Sequence, residues 1–310
     1  MPQPRTHPVL DCHSGNELGR RGARLHPRAM QIDVPGGHIH AVIEGEGPLV
    51  LLIHGFPEGA WAWRHQLPAL AAGGYRAVAI DVRGYGDSLK PDAVEAYRML
   101  AHVADNVAVL EALEADTAVV VGHDWGSPIA AASAQVRPDR FTAVALLGVP
   151  YQPRADTPPA FPPDFYVAHF QTDAAQREIE ADIESWLRRF YAALTDGTPG
   201  WFGNPMHLPD AALPAWVDDF EAIVAAFERG GFAGPLNRYR NFVRDWEDLA
   251  AFDELRVPSI FITGERDSTR LWMPAEGHVI PDCGHWVQQE RPQAVNALLE
   301  DFLRSLGQPV

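Results

Sequence analysis

Only two cysteines, Cys12 and Cys283, occur in 310 residues. Two thiols so far apart give neither a disulfide framework nor metal-ligand spacing, so a reducing compartment is expected. No apolar run approaches the roughly 18 residues that span a bilayer. The first residues also lack the hydrophobic segment of a secretion signal, and the expected location is cytoplasmic. Basic residues are short too: 25 Lys and Arg against 41 Asp and Glu leave a formal net charge of -16. Nucleic acid and anionic membranes would be repelled by such a chain. A small neutral substrate is the partner that fits, with a homodimer left open.

What the chain does have is enough apolar residue, 46% hydrophobic, for a sizeable core in one large domain or one domain with an insertion. Its most informative stretch is Val121-Gly122-His123-Asp124-Trp125-Gly126-Ser127. An apolar run from Thr117 to Val121 reads as a buried parallel strand, and the small residues from Pro128 to Ala134 read as a helix. A strand entering a helix through Gly-x-Asp-x-Gly is the pattern of a nucleophile elbow, whose glycines allow a sharp turn that pushes one side chain out. Here that side chain is Asp124, where serine is usual. A carboxylate needs no base to become a nucleophile and can attack a saturated carbon bearing a leaving group. The resulting ester must then be hydrolysed, which calls for a base and an oxyanion hole. Asp124 could instead be an ordinary helix N-cap.

Residues 1–29 are polar and without periodicity, and read as a loosely held extension. Gln31 to Val34 and His38 to Glu44 read as a hairpin across Gly36-Gly37. Leu49 to Ile53 is continuously apolar and ends in His54-Gly55-Phe56-Pro57-Glu58, ahead of Trp61-Ala62-Trp63. Such a turn could aim a backbone N–H into a site or simply connect strand to helix. His65 to Ala72 reads as a helix, Arg76 to Asp81 as a strand leading into Arg83-Gly84-Tyr85-Gly86-Asp87-Ser88, and Ala101 to Leu113 as the next helix. After the elbow, Phe141 to Leu147 is a strand closing at Val149-Pro150. The alternation predicts a mostly parallel sheet with right-handed crossovers.

From Tyr151 to Trp246 the alternation stops. Prolines, Trp186, Trp201 and Trp216, with helical stretches over Ala174 to Ala193 and Ala215 to Arg229, predict a helical insertion over the sheet's carboxyl ends. Strands resume at Pro258 to Thr263, ending in Gly264-Glu265-Arg266-Asp267, and at Gly277 to Ile280, ending in Pro281-Asp282-Cys283-Gly284-His285-Trp286. Pro292 to Leu306 is a closing helix. Asp124, then a carboxylate at a strand end, then His285 is the nucleophile, acid, histidine order found on such sheets. Glu265, Asp267 and Asp282 all compete for the middle role, and each of thirteen histidines could be a mere loop residue.

Taken together, His54-Gly55-Phe56-Pro57-Glu58, Arg83 to Ser88, Gly122 to Gly126 and Gly284-His285-Trp286 resemble the soluble epoxide hydrolases of the α/β-hydrolase fold. The resemblance runs from about Met30 to the C-terminus. It implies an eight-stranded, mostly parallel sheet flanked by helices, a core over 30–150 and 247–310, and a helical cap over 151–246. Within the cap, Phe165-Tyr166-Val167-Ala168-His169-Phe170-Gln171 is similar to the family stretch bearing one epoxide-polarising tyrosine. Gly234 to Asn241 is similar to the stretch bearing the other. Tyr166 and Tyr239 are the residues so matched, although each could otherwise be a packing tyrosine. After Gln171 the family continues Glu-Pro-Gly where this chain has Thr172-Asp173-Ala174.

The resemblance further implies the chemistry. Asp124 attacks a ring carbon while the two tyrosines hydrogen-bond the epoxide oxygen, and a hydroxyalkyl ester forms. His285, oriented by Asp267, then activates water against the ester, with the backbone N–H groups of Phe56 and Trp125 as oxyanion hole. The product is a vicinal diol, and no cofactor or metal is used. Trp61, Trp63, Phe165 and Phe170 are the expected substrate-binding residues, in a chamber for an apolar epoxide. Haloalkane and haloacid dehalogenases share the Asp nucleophile. The first usually has Asn where this chain has Phe56, and a fluoroacetate-type enzyme has Arg where it has Trp125. A non-catalytic binding protein on this fold would be expected to have lost Asp124, Asp267 or His285.

Overall fold

The computed structural model describes residues 27–197 and 208–307. Most of the expected extension, with Cys12, lies outside the described residues, as does Trp201. Strand β1 (Arg28–Val34) begins two residues inside that extension and pairs with β2 (Gly37–Glu44) as a hairpin. Gly36 in its turn has φ 92°, a conformation that favours glycine. Then come β3 (Leu49–Ile53), α1 (Gln66–Ala72), β4 (Arg76–Ile80), α2 (Met99–Ala112), β5 (Ala118–His123), α3 (Gly126–Val136) and β6 (Phe141–Leu147).

Among the described residues six α-helices occupy the interval before the next strand: α4 (Tyr166–Phe170), α5 (Asp173–Ala181), α6 (Ile183–Asp196), α7 (Phe220–Gly230), α8 (Ala233–Tyr239) and α9 (Phe242–Asp248). The single helix expected over Ala174 to Ala193 is two. Asp182 leaves helical geometry at φ -156°, ψ 77°, and its carboxylate caps the Ser185 amide at 3.1 Å; a capping aspartate starts a new helix where the apolar spacing alone would continue the old one. Likewise α7 begins at Phe220, not near Ala215, because Asp219 at φ 49° caps it. The boundary expected at 246/247 falls inside α9. The fold closes with β7 (Ser259–Gly264), β8 (His278–Ile280), α10 (Val287–Glu290) and α11 (Pro292–Ser305).

The eight strands form one sheet in the order β1-β2-β4-β3-β5-β6-β7-β8. Only β1 with β2 and β2 with β4 are antiparallel; every other pair is parallel. Both faces are covered, and β3 shows it: Leu49, Leu51 and Ile53 belong to one core, Val50 and Leu52 to the other. Each such fully buried side chain contributes about 1.5–3 kcal/mol. Because β4 lies on one side of β3 and β5 on the other, the connections part at β3, and the crevice outside the carboxyl ends of β3 and β5 is where open sheets bind ligands.

The helical insertion reaches that crevice. The Tyr191 hydroxyl of α6 donates to the Pro57 carbonyl at 2.7 Å, and the Leu194 carbonyl accepts from the His285 amide at 3.0 Å. Among the described residues no helix is long and apolar enough to cross a membrane.

Candidate active site

Asp124 sits between β5 and α3 with φ 50°, a left-handed conformation costing an ordinary residue 1–3 kcal/mol, roughly, and aspartate less. The flanking glycines serve a different purpose from the one the motif suggests: neither has positive φ, and the turn is made by Asp124 itself. A Cβ on Gly122 would lie 2.0 Å from the Gly126 carbonyl oxygen, and one on Gly126 would lie 1.9 Å from that of Ile53. They are glycines because backbones touch there. The same holds for Gly55, whose Cβ would meet that of Asp124 at 2.3 Å.

This close approach brings the turn after β3 onto the carboxylate. The Phe56 amide donates to Asp124 Oδ1 at 2.7 Å. On the other side His285 Nε2 is 3.4 Å from Asp124 Oδ2, and His285 Nδ1 is 3.0 Å from Asp267 Oδ2. Asp267 ends the turn after β7; its second oxygen accepts from the Thr269 amide at 2.9 Å. Of the three candidate acids, only Asp267 reaches the imidazole. Burial pushes its carboxyl up, but the His285 ring and Thr269 outweigh burial and hold it below the usual range. His285 is the mirror case. Burial disfavours its charge, yet Asp267 and Asp124 together raise its pKa well above the usual value.

Tyr166 opens α4, Tyr239 closes α8, and both line the cavity that contains Asp124. Burial first, then the Asp124 charge, raises both phenols above their ordinary value. At neutral pH each therefore keeps its proton and can donate it to an oxygen above Asp124. Trp125, at the N-terminus of α3, meets Tyr239 edge-to-face at 5.1 Å. The Phe56 ring is held by Phe170, Trp186, Phe190, Phe232 and Tyr239, with centroids 5.2–6.0 Å away, which fixes the backbone that presents its amide.

The four expected substrate-binding aromatics stand elsewhere. Trp63 is fully buried in the core on the α1 and α11 face, because its ring fills the space beside Leu67 and Leu70. Trp61 lines a separate polar cavity with Glu58 and Asp81. Phe170 has 0% exposure and packs behind Phe56 and both tyrosines, and Phe165 stacks on Phe161. The cavity, about 260 Å³, is lined instead by Trp125, Phe161, Phe242 and the face of α3. Trp216 and Trp186 pack against Trp286 and Phe190.

A buried polar hub ties these parts together, and the motif reading gave its members no role. Glu58 Oε2 accepts from the Gly55 amide at 3.0 Å and from His123 Nδ1 at 2.7 Å; Oε1 accepts from Gln288 and Gln289 of α10 at 2.9 and 2.8 Å. His123 Nε2 bonds the His285 carbonyl at 2.9 Å. The hub thus fastens the turn bearing Phe56, the strand bearing Asp124 and the loop bearing His285. Its signal in the sequence was slight: Glu58 and His123 stand inside the quoted motifs, two residues from Phe56 and one from Asp124, where the matching motif assigns them no role. Burial pushes the Glu58 carboxyl up, but His123, His54 and the Gly55 amide hold it below the usual value. Its contribution to stability is accordingly present above the ordinary glutamate pKa and lost as pH falls through the depressed one. Glu58→Ala is expected to cost about 3–5 kcal/mol, because it strands a buried histidine. Chemical denaturation measures this, and a loss under about 1 kcal/mol would contradict the hub's role.

Arg238 is a second residue without a role in the motifs. It is buried, paired with Asp245, and stacked 4.8 Å over the Trp125 ring.

Comparison with known proteins places this geometry in context. Residues 48–292 match the family model of the α/β hydrolase fold. The chain is 40% identical to Epoxide hydrolase A of Mycobacterium tuberculosis, over 90% of this chain and 98% of that one. Among solved structures it is similar to an epoxide hydrolase from an endophytic Streptomyces, with TM-score 0.85 and 50% identity over 90% of this chain and 96% of the other. It also resembles epoxide hydrolase I of potato, at TM-score 0.81 and 31% identity over 90% and 100% of the two chains.

Proposed function

Because the chain belongs to the epoxide hydrolases of the α/β-hydrolase fold, we propose that it opens an apolar epoxide to a vicinal diol through an ester on Asp124. The observation that supports this most is the placing of Asp124, with one oxygen held by the Phe56 amide, the other beside His285, and two protonated tyrosines in the same cavity. The epoxide oxygen accepts from Tyr166 and Tyr239, and Asp124 Oδ2 attacks a ring carbon. The C–O bond breaks towards the tyrosines, and one of them passes its phenol proton to the leaving oxygen, becoming a phenolate, as the hydroxyalkyl ester forms. Residues 151–246 close over the site and limit water during this step.

His285 then changes state. In the free enzyme two carboxylates favour its charged form; esterification neutralises Asp124 and leaves only Asp267. The imidazolium then gives up its proton, which restores the tyrosine phenol, and the neutral imidazole takes a proton from water, whose hydroxide adds to the ester carbonyl. The Phe56 amide, already on that carboxyl group, and the Trp125 amide at the start of α3 stabilise the oxyanion. Collapse of this intermediate releases the diol and restores Asp124.

Two tests follow. Purified protein offered styrene oxide, aliphatic epoxides and haloalkanes should yield diols from the epoxides and no halide; halide release without diol would overturn the reading in favour of a dehalogenase. Secondly, Asp124→Asn, which imitates the neutral ester, should move the His285 pKa downward from its raised value, as read by NMR of the ring nitrogens. The imidazolium's contribution to stability is present below the ordinary histidine pKa and lost as pH rises through the raised one, so this variant should lose stability at neutral and lower pH. An unmoved titration would exclude Asp124 as a source of the shift.

A further inference from the structure

The cavity above Asp124 is polar at the reacting end, where Asp124, Tyr166 and Tyr239 stand, and apolar beyond it. It follows one face of α3, on which Pro128, Ala131, Ala132 and Gln135 recur at i, i+3, i+4 and i+7. At 1.5 Å per residue this stripe is about 10 Å long. Met99, Phe242 and Leu249 complete the apolar stretch. Past it comes a carboxamide, Gln135, half-buried at the end of the stripe, and a second, Gln152, lines the same cavity and is exposed, which puts it at the rim.

Neither carboxamide hydrogen-bonds to any described residue. Other polar lining groups are already engaged. The Thr269 hydroxyl donates to the Gly148 carbonyl at 2.7 Å, and the Tyr151 hydroxyl accepts from the Leu255 amide at 3.2 Å. Among the described residues no Lys, Arg or His lines the cavity, and Asp124 is the one charged group that does.

Resting on the epoxide reading above, we propose that the preferred substrate has two ends: an epoxide, and an uncharged amide, ester or hydroxyl about 10 Å away that Gln135 and Gln152 receive. A carboxamide both donates and accepts, so it pairs with any of these groups. A carboxylate at the same place would give up water and find no cation, in a chain of net charge -16. A purely apolar tail would leave Gln135 unpaired as it covered it.

The test uses unbranched terminal epoxides ending in a primary amide, a carboxylate or a methyl group, each at several chain lengths, with kcat/KM as the readout. The amide series should be favoured and peak near the length that spans α3. In Gln135→Leu, and again in Gln152→Leu, the ratio of amide to methyl kcat/KM should fall about tenfold, the worth of a hydrogen bond or two. Reading a ratio cancels any general loss of folding or activity. A flat profile, a preference for the carboxylate, or ratios unchanged in both variants would overturn the two-ended substrate while leaving epoxide hydrolysis standing. Failure of every epoxide to turn over would remove the reading on which it rests, and this inference with it.

Discussion

Asp124→Ala is expected to abolish diol formation, whereas His285→Gln should stop turnover with the substrate attached to the enzyme. The two residues act on successive bonds. Asp124 makes the new C–O bond, so without it no first step exists and the rate should fall by on the order of 10⁴ or more. His285 lies 3.4 Å from the Asp124 oxygen that does not face Phe56, where it can deprotonate water but contributes no atom to the ester. Glutamine keeps much of its bulk and removes the base, so ring opening proceeds and hydrolysis does not. Intact-protein mass spectrometry after mixing with substrate should show the adduct in His285→Gln and the bare mass in Asp124→Ala. If His285→Gln binds substrate yet keeps its unmodified mass, the covalent route is wrong.

The second large effect concerns the tyrosines. Tyr166 and Tyr239 come from separate helices, α4 and α8, and share one cavity with the nucleophile. Each is to donate one hydrogen bond to the same oxygen, and burial together with the Asp124 charge keeps both phenols protonated. Replacing either by Phe should slow ring opening by about ten- to a thousandfold, since the other still donates, and replacing both should be far worse than either. Stopped-flow measurement of the first step separates this from hydrolysis. A double variant that opens epoxide at the parent rate would show that the tyrosines only pack.

Much of this was legible in the sequence because short-range rules governed it. A short apolar run bounded by turn residues, such as Leu49 to Ile53, reads as a strand buried on both faces, and Gly-x-Asp-x-Gly marked the elbow at Asp124, although its glycines answer to touching backbones and not to the turn. The order of Asp124, Asp267 and His285 along the chain carried over to their meeting in space, since each stands at the end of a parallel strand and those ends share one edge of the sheet. Side-chain destinations were less legible. Trp61 and Trp63 share one short turn, yet one faces a polar cavity and the other the core beneath the sheet, a difference set by α1 and α11 from opposite ends of the chain. Phe170 was expected to touch substrate and instead backs Phe56, because α6 and α8 bring Phe190 and Tyr239 around it. Glu58 and His123 escaped a functional reading for the same reason. Their roles depend on α10, more than 160 residues beyond His123 in the chain, arriving with two glutamines.

The central claim is that an oxygen of Asp124, not of water, first enters the product. A single turnover with enzyme in excess, run in water labelled with heavy oxygen, tests it most directly. The account predicts an unlabelled diol from that turnover and the label in the peptide containing Asp124, because water attacks the ester carbonyl and leaves its oxygen on the enzyme. Label in the diol from the first turnover, with Asp124 unlabelled, would mean that water opens the epoxide directly and that Asp124 acts only as a base.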